Sequence, residues 1–266
     1  IVAYSKRLKK NNPFVKLLYQ GEKWIYKKAD ALIFTQEGGL DYIREHKWDT
    51  DHGGPINMDK AYHINNGVDL EAFDANLQAY PYADEDLDNP NIYKVVYAGS
   101  IRRIIILDAA KLVKNPQVKF LIFGSGDELE TLQKRVVDEK IHNVVFKGRV
   151  NKQFIPSVDS KADLNLVHWE MNPLLRVGES YNKAFEYYAS GKPVFYTIRP
   201  GYSIAEKYQS GRITDGFTPQ DIANGIDAMA SMSIDEREQM AANARKTAEV
   251  YDFKNLTKLL VEIIEK

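Results

Sequence analysis

The feature that most constrains this sequence is the alternation of two kinds of segment from residue 90 onward. Short apolar runs rich in β-branched and aromatic residues alternate with polar stretches in which apolar residues recur at helical spacing. The runs predict strands over residues 93–97, 119–123, 143–146, 163–167 and 194–197, and the stretches predict helices over 107–114, 127–140, 152–161 and 182–190. Strands that are joined through helices by short connections form a parallel sheet covered on both faces. The sequence therefore predicts an α/β fold and excludes β-sandwiches and helix bundles.

The remainder of the chain divides around this domain, which we assign to residues 92–250. Residues 1–75 have a sparser pattern, with strands predicted over 31–35 and 61–64 and a helix over 37–47. Residues 76–91 are rich in Asp, Pro, Ala and Asn and have the composition of a linker. Helices are predicted to begin at Thr218 and at Ser233, which both start capping motifs, and a last helix is predicted within 251–266. The chain does not begin with Met, so we expect it to be a fragment of a longer protein.

Composition and charge narrow the classes of function. The chain carries 36 basic and 37 acidic side chains, a balance that gives no reason to expect a nucleic-acid partner. It has no cysteine, which excludes a disulfide scaffold, a thiolate zinc site and a cysteine nucleophile. Its five histidines lack the spacing of metal ligands, so we predict no metal site. The lack of cysteine also suits a cytoplasmic protein. No apolar run is long enough to span a bilayer, and the first residues do not resemble a signal peptide.

The first candidate binding loop follows the first strand of the domain. It contains Gly99 and Ser100, followed by two adjacent arginines, Arg102 and Arg103. A glycine at the carboxyl end of a parallel strand lets backbone N–H groups approach a phosphate, and the following helix N-terminus favours negative charge. The arginines would add charge-assisted hydrogen bonds to a diphosphate. The alternative is a solvated strand–helix turn with surface arginines.

A second glycine-rich turn follows the second strand. Gly124 and Gly126 resemble the start of a dinucleotide-binding fingerprint, but Leu129 stands where the third glycine would be. A turn that a ligand approaches closely and a plain tight turn are equally compatible with this pattern. The missing glycine also disfavours a Rossmann dehydrogenase.

The most specific pattern lies at the start of the predicted helix 182–190. Ser180, Asn182 and Lys183 stand where the unpaired backbone N–H groups of the first helical turn point outward, and together they would form a phosphate cradle. Glu186 lies one turn further on the same side as Asn182, where a carboxylate could accept hydrogen bonds from two ribose hydroxyls. The alternative is an amphipathic helix with an ordinary polar N-terminus.

This segment resembles the signature of the family-4, or group 1, glycosyltransferases, in particular the bacterial polysaccharide enzymes with the pattern S-P-N-K-x-F-[DE]-Y-x-A-x-G-K-P-V. Tyr181 replaces the Pro of that pattern. Further matches follow in order along some 200 residues. They are the N-G-V-D of residues 66–69, the G-S-G of 124–126, the F-K-G-R-V of 146–150, and the stretch from Asn243 to Phe253.

The resemblance implies a GT-B fold, a Rossmann-like parallel sheet with helices on both faces. Residues 92–250 would be the C-terminal, nucleotide-sugar-binding domain, residues 1–75 a remnant of the acceptor-side domain, and helix 251–266 would pack back toward that remnant. The donor-binding residues would be Gly99, Ser100, Arg102, Arg103, Gly124, Gly126, Arg149, Val150, Ser180, Tyr181, Asn182, Lys183 and Glu186. Backbone groups near Arg149 and Val150 would select the base.

The function implied by the resemblance is a retaining transfer of a hexosyl or N-acetylhexosaminyl group. The sugar would pass from a nucleotide diphosphate sugar to a glycan acceptor, lipid-linked in surface polysaccharide synthesis, for example of lipopolysaccharide. Neither cofactor nor bound metal is implied. The catalytic groups are expected in the missing N-terminal region, so this fragment is expected to be inactive alone.

One loop departs from the family pattern G-R-x-x-x-x-K-G. Ser100 takes the position of the Arg, Ile105 that of the Lys and Ile106 that of the second Gly. Arg102 or Arg103 would then have to supply the positive charge. This departure favours one alternative, a non-catalytic nucleotide-sugar-binding protein. A second alternative is a sugar-nucleotide epimerase or hydrolase of the same fold, which also binds a nucleotide sugar.

The opening of the chain is basic, with interleaved apolar residues. The basic residues are Lys6, Arg7, Lys9, Lys10, Lys16, Lys23, Lys27 and Lys28, and the apolar ones include Phe14, Leu17, Leu18, Trp24 and Ile25. A basic amphipathic helix can lie on an anionic membrane surface, which would place the protein peripherally on the inner face of the cytoplasmic membrane. The alternative is a solvated helix face.

We interpret the acidic clusters at 49–51 and 84–86 as solvated turns, and His168 as a structural histidine or a substrate contact.

Overall fold

The N-terminal part of the chain forms a small unit around a two-stranded parallel sheet. The computed structural model describes residues 12–101, 106–169 and 172–266. The first elements are helix α1 (Pro13–Lys28), strand β1 (Leu32–Phe34), helix α2 (Gly39–Glu45), strand β2 (Ala61–His63) and helix α3 (Leu70–Ala79). Strands β1 and β2 pair in parallel. The side chains of Leu32, Ile43, Trp48 and Ile56 are buried together and give this unit a core of its own.

A six-stranded parallel sheet follows, as the sequence predicts. Its strands are β3 (Tyr93–Ala98), β4 (Val118–Phe123), β5 (Val144–Gly148), β6 (Leu164–Val167), β7 (Val194–Tyr196) and β8 (Gly211–Ile213). They lie in the order β5-β4-β3-β6-β7-β8, and every neighbouring pair is parallel. This is the doubly wound Rossmann order, and the direction of winding reverses between β3 and β6.

Helices cover both faces of this sheet. They are α4 (Ile106–Ala110), α5 (Leu129–Asp138), α6 (Ile155–Ser160), α7 (Asn182–Ala189), α8 (Ile204–Lys207), α9 (Pro219–Ala230), α10 (Ile234–Val250) and α11 (Phe253–Ile264). Successive β3 residues alternate between two cores, with Val95 and Tyr97 packed among α4, α5 and α9 and with Val96 and Ala98 packed among α6, α7 and α10. The strand is buried on both faces, which explains why its sequence is an almost continuous apolar run.

Most predicted elements are confirmed, and the differences have local causes. The helix predicted over 107–114 ends at Ala110, because the backbone N–H groups of Lys114 and Asn115 donate to the Asp227 carboxylate (2.9 and 3.0 Å) instead of continuing the helix. Strand β8 was not predicted, since it has three residues and begins with a glycine. The predicted capping motifs at Thr218 and Ser233 are both present.

Besides the separate core of the N-terminal unit, the two parts of the chain share a second core. Residues Val68, Leu70, Phe73 and Leu87 pack into the same cluster as α7 and α10. Helix α3 runs into the predicted linker as far as Ala79. The C-terminal end returns to the N-terminal part, where the Val68 N–H donates to the Tyr251 carbonyl and the Phe253 N–H donates to the Val68 carbonyl. Helix α11 therefore begins against the loop that follows β2.

Candidate functional site

The carboxyl ends of β3, β4 and β5 open into a cleft of about 310 Å³. Gly99 and Ser100 line it from the loop after β3, Gly124 from the loop after β4, and Arg149 and Val150 from the loop after β5. All five are predicted donor-binding residues, and the structure brings them together at one edge of the sheet. This edge adjoins the point where the winding reverses, which is where doubly wound sheets bind their ligands.

The glycine-rich turn after β4 packs against the loop after β3. The Gly99 N–H donates to the Phe123 carbonyl at 3.0 Å. A Cβ atom on Gly124 would lie 1.8 Å from the Gly99 carbonyl oxygen, and one on Gly126 would lie 1.9 Å from that of Ile101. Both glycines are thus required for the two loops to approach each other. This packing explains why both positions are glycines without requiring a bound ligand. It also fixes the shape of the cleft floor.

Lys183 brings a positive charge from helix α7 to the loop after β3. Its Nζ lies 4.2 Å from the centre of the Tyr97 ring. A Cβ atom added to Gly99 would lie 2.6 Å from the same Nζ, so the ammonium group is beside the Gly99 backbone. The side chain of the N-cap residue Tyr181 makes no cap hydrogen bond at the α7 N-terminus. Lys183 therefore places a cation beside the loop after β3, where it favours a bound anion.

The ammonium of Lys183 is part of a buried group of charges. Burial lowers the Lys183 pKa to about 8, and the carboxylates of Asp159 and Glu186 oppose that shift. Asp159 is fully buried, and among the described residues neither of its carboxylate oxygens has a hydrogen-bond partner. Burial raises the pKa of Asp159 well above its usual range, and the nearby Glu186 raises it further. The Lys183 ammonium opposes this shift of the Asp159 pKa, so the two groups influence each other.

Glu186 and Asn182 line a neighbouring cavity of about 370 Å³. Its other walls come from the loop 67–69, from α3 and from Lys152. The Lys152 Nζ lies 3.9 Å from a Glu186 carboxylate oxygen, and burial raises the pKa of Glu186. Among the described residues, seven of the predicted site residues line one of these two cavities. Residues 149–156 contribute to the lining of both, and Lys183 lies on α7 between Asn182 and Glu186.

Two tyrosines hold the end of β3 and the loop after it in place. The Tyr187 hydroxyl accepts from the Ala98 N–H (2.9 Å) and donates to the Ala98 carbonyl (3.2 Å), which ties α7 to the end of β3. The Tyr97 hydroxyl donates to the Ser100 carbonyl at 2.8 Å. Neither tyrosine has a role that the sequence predicts. Tyr187 is part of the family signature, but no sequence pattern around Tyr187 or around the fully buried Asp159 indicates what these residues contact.

The remaining predicted residues lie around α7 or outside the described chain. The Ser180 carbonyl accepts from the Asn66 side chain at 3.2 Å, so the loop after β2 contacts the segment that leads into α7. The Tyr181 ring packs beside that of Trp169, at 5.5 Å between centres. Arg102 and Arg103 lie outside the described residues, as do Lys6, Arg7, Lys9, Lys10, Ile104 and Ile105.

The acidic clusters at 49–51 and 84–86 are not simply solvated turns as predicted, because Asp49 and Asp86 are buried and have structural roles. Asp49 caps a short helical turn, with its carboxylate 2.8 Å from the His52 ring. The Asp84 and Asp86 carboxylates pair with Lys147, which ties the segment after α3 to β5. His168 is buried, and its Nδ1 lies 2.7 Å from the Thr197 hydroxyl.

Among the described residues no group of three His, Asp or Glu side chains is placed to hold a metal ion. In the same part of the chain, no helix is long and apolar enough to cross a membrane.

Comparison with known proteins agrees with this architecture. Residues 93–247, more than half of the chain, match the model of the family "Glycosyl transferases group 1". The chain is 24% identical over 245 residues to TuaH of Bacillus subtilis (strain 168), whose name assigns it to teichuronic acid biosynthesis as a glycosyltransferase. The alignment covers 87% of this chain and 56% of TuaH, so the chain spans about half the length of this relative.

Solved structures with the same fold include glycosyltransferases of the GT-B type. HepE of Anabaena, in a crystal structure with UDP, has a TM-score of 0.72 at 17% identity, covering 97% of this chain and 70% of that one. Sucrose-phosphate synthase from Thermosynechococcus elongatus has a TM-score of 0.71 at 21% identity, covering 99% and 64%. The predicted GT-B fold, with its Rossmann-like sheet, is confirmed. From the family match, this chain belongs to the group 1 glycosyl transferases.

Proposed function

We propose that this chain binds the donor of a glycosyltransferase that moves a sugar from a nucleotide diphosphate sugar to a glycan acceptor. The observation that carries the proposal is the Lys183 ammonium beside the Gly99 backbone. The family pattern of the loop after the first strand has an Arg at the position that Ser100 occupies in this chain. Lys183 supplies a cation to the same loop from a different element, so the altered loop retains the means to bind a diphosphate.

The two cavities suggest how a nucleotide would lie. The base would contact the backbone near Arg149 and Val150, and the diphosphate would lie over Gly99 and Ser100 beside Lys183. The Glu186 carboxylate would accept hydrogen bonds from the ribose hydroxyls. HepE has been crystallised in complex with UDP and with UDP-glucose, which makes UDP the first nucleotide to test.

Transfer with retention of configuration is part of the proposal. The negative charge that develops on the leaving diphosphate would be stabilised by Lys183 and by the α7 N-terminus, with neither cofactor nor bound metal taking part. The acceptor would be a lipid-linked glycan in surface polysaccharide synthesis, in keeping with the name of TuaH. The groups that act on the acceptor would belong to a larger N-terminal domain, so this chain would bind donor without turnover.

The division of the chain and its location belong to the same proposal. Residues 1–75 would be part of the acceptor-side domain, 76–91 a linker, 92–250 the donor domain, and 251–266 a helix that returns to the first part. The contacts of Val68 with Tyr251 and Phe253 support this return. The protein would act in the cytoplasm, peripherally on the inner face of the membrane where lipid-linked acceptors are presented.

Calorimetric titration of the chain with UDP, GDP and ADP tests the proposal, with Glu186→Ala alongside. We expect saturable binding of one nucleotide and a loss of affinity of about tenfold or more in the variant, because two hydrogen bonds to a charged carboxylate are removed. Glu130→Ala is the control, since Glu130 is exposed on α5. Failure of all three nucleotides to bind, or equal binding by Glu186→Ala, would contradict the proposal.

A further inference from the structure

A solvent-exposed tryptophan lies at the ligand-binding edge of the sheet. Trp169 follows β6 and is 47% exposed, whereas the preceding His168 is 6% exposed. The Trp169 ring lies beside the Tyr181 ring, with 5.5 Å between their centres and 32° between their planes. The two rings therefore form a partly stacked aromatic surface, and much of the indole faces solvent.

Both rings stand on well-anchored backbone. Next to Trp169, the buried His168 ring contacts the Thr197 hydroxyl at 2.7 Å, which links the ends of β6 and β7. Tyr181 is the N-cap residue of α7 and packs partly against the core. The Ser180 carbonyl before it is held by the Asn66 side chain. Preorganised aromatic rings lose little conformational entropy when a ligand binds.

The order of the strands places this surface next to the proposed diphosphate. Along the carboxyl edge, β5 and β4 contribute the proposed base-binding end, β3 contributes Gly99, and β6 is the next strand. Tyr181 is separated from Lys183 by one residue. A sugar that is bonded to the terminal phosphate of a nucleotide diphosphate would extend from Gly99 toward β6, away from β4. There it would contact Tyr181 and Trp169.

We propose that Trp169 and Tyr181 form the surface on which the hexose ring of the donor packs. This inference rests on the proposed function and specifies the part of the substrate that the pair binds. The C–H groups on one face of a pyranose ring carry partial positive charge, and the face of an indole ring carries negative charge. The pair would thus favour a hexopyranose that presents an apolar C–H face, and it would not contact the nucleotide.

Titration of UDP, UDP-glucose, UDP-galactose and UDP-N-acetylglucosamine against the chain and Trp169→Ala tests this assignment. We expect Trp169→Ala to bind UDP within about twofold of the parent chain, and to bind the preferred UDP-hexose about fivefold or more weakly. Trp169→Phe, which keeps a flat ring, should recover most of the loss. Trp24→Ala is the matched control, because Trp24 is a similarly exposed tryptophan on α1.

Fluorescence gives an independent readout that does not depend on a substitution at the site. In the Trp24→Phe variant the remaining tryptophans are the buried Trp48 and the exposed Trp169. We expect the preferred UDP-hexose to change the emission of this variant more than UDP does. Equal losses of UDP and UDP-hexose affinity in Trp169→Ala, or no loss of either, would overturn the assignment while leaving the proposed function intact. Binding of none of these ligands, nor of GDP or ADP, to the parent chain would instead refute the proposed function, and the assignment with it.

Discussion

Lys183 is the residue whose environment says most about the site. A buried ammonium is costly unless negative charge compensates it, and here the pKa of Lys183 is lowered to about 8 despite the nearby Asp159 and Glu186. The pocket is therefore short of negative charge when the ligand is absent. A diphosphate would supply that charge and restore the stability of the protonated form. The same environment predicts how binding depends on pH.

We expect the affinity for UDP to fall as the pH rises above about 8. The free chain loses the Lys183 proton near that pH, whereas the complex keeps it because the diphosphate raises the Lys183 pKa. Binding above this pH then requires uptake of a proton, and affinity should fall by up to about tenfold for each pH unit. Titrations at about pH 7, 8 and 9 in the parent chain measure this slope. Lys183→Met should show a flat profile over the same range, and an equal slope in both proteins would contradict the assignment.

At the scale of elements, the loops after β3 and β4 act as one structure. They are joined by backbone hydrogen bonds and by the contact of Gly124 with the Gly99 carbonyl. Gly124 has a φ of 137°, which side-chain-bearing residues rarely adopt. The shape of the cleft therefore depends on a residue that need not touch the ligand.

Gly124→Ala should destabilise the chain by about 2–4 kcal/mol and weaken nucleotide binding. The new methyl group would overlap the Gly99 carbonyl and push the two loops apart. Chemical denaturation measures the free energy of unfolding. Gly21→Ala is the control, because that glycine lies inside α1 with open space around it, and Ala there should be neutral or stabilising by about 0.5–1 kcal/mol. Equal stability of Gly124→Ala and the parent chain would show that the loops move apart freely.

Helix α1 presents an apolar surface beside basic residues. Phe14, Leu17, Trp24 and Ile25 are each more than half exposed, and the last turn of the helix carries Lys27 and Lys28. We expect the chain to co-sediment with vesicles that contain phosphatidylglycerol and to remain in solution with neutral vesicles. Added salt should weaken the binding, because the basic residues contribute by charge.

A double variant, Leu17→Ser with Trp24→Ser, should lose vesicle binding. Val137→Ser is the control, since Val137 is an exposed apolar residue on α5. Binding that is insensitive to anionic lipid would count against membrane contact by α1.

Local patterns in the sequence predicted most of the elements and the edge of the sheet that carries the candidate site. Hydrophobic period and capping residues predicted most strands and helices, though not β8, and the position of Gly99 after a strand predicted which edge it occupies. Contacts between distant segments were not predictable in this way. The approach of Lys183 to Gly99, the burial of Asp159 and the pairing of Trp169 with Tyr181 depend on how α6, α7 and the strands pack.

At the scale of the whole molecule, the segment before α7 is where the two parts of the chain meet. The Asn65 side chain donates to the Glu179 carbonyl at 3.0 Å, and Gln36 donates to that of Gly178 at 3.1 Å. The Glu179 side chain is buried, with one carboxylate oxygen accepting from the Ile204 N–H at 2.7 Å. Among the described residues its other oxygen has no hydrogen-bond partner. Burial raises the pKa of Glu179 to about 7.

This raised pKa should make the stability of the whole chain depend on pH. Between the unfolded value of 4.5 and about 7, the folded chain holds a proton that the unfolded chain releases. The free energy of unfolding should therefore fall as the pH rises through this window, by up to about 3 kcal/mol. Glu179→Gln should remove this loss, so that the variant is more stable than the parent at about pH 8. Thermal unfolding of the parent chain and Glu179→Gln across this pH range measures the effect, with Glu130→Gln as control. Parallel stability profiles of the parent chain and Glu179→Gln would contradict this role of Glu179.

We propose that Lys183 binds the diphosphate of a nucleotide. Calorimetric titration with UDP and with uridine tests this role in the parent chain and in Lys183→Met, with Lys246→Met on the exposed surface of α10 as control. We expect Lys183→Met to bind UDP about tenfold or more weakly, because a charge-assisted hydrogen bond is lost, and to bind uridine as the parent chain does. Unchanged affinity for UDP, or an equal loss for UDP and uridine, would contradict it.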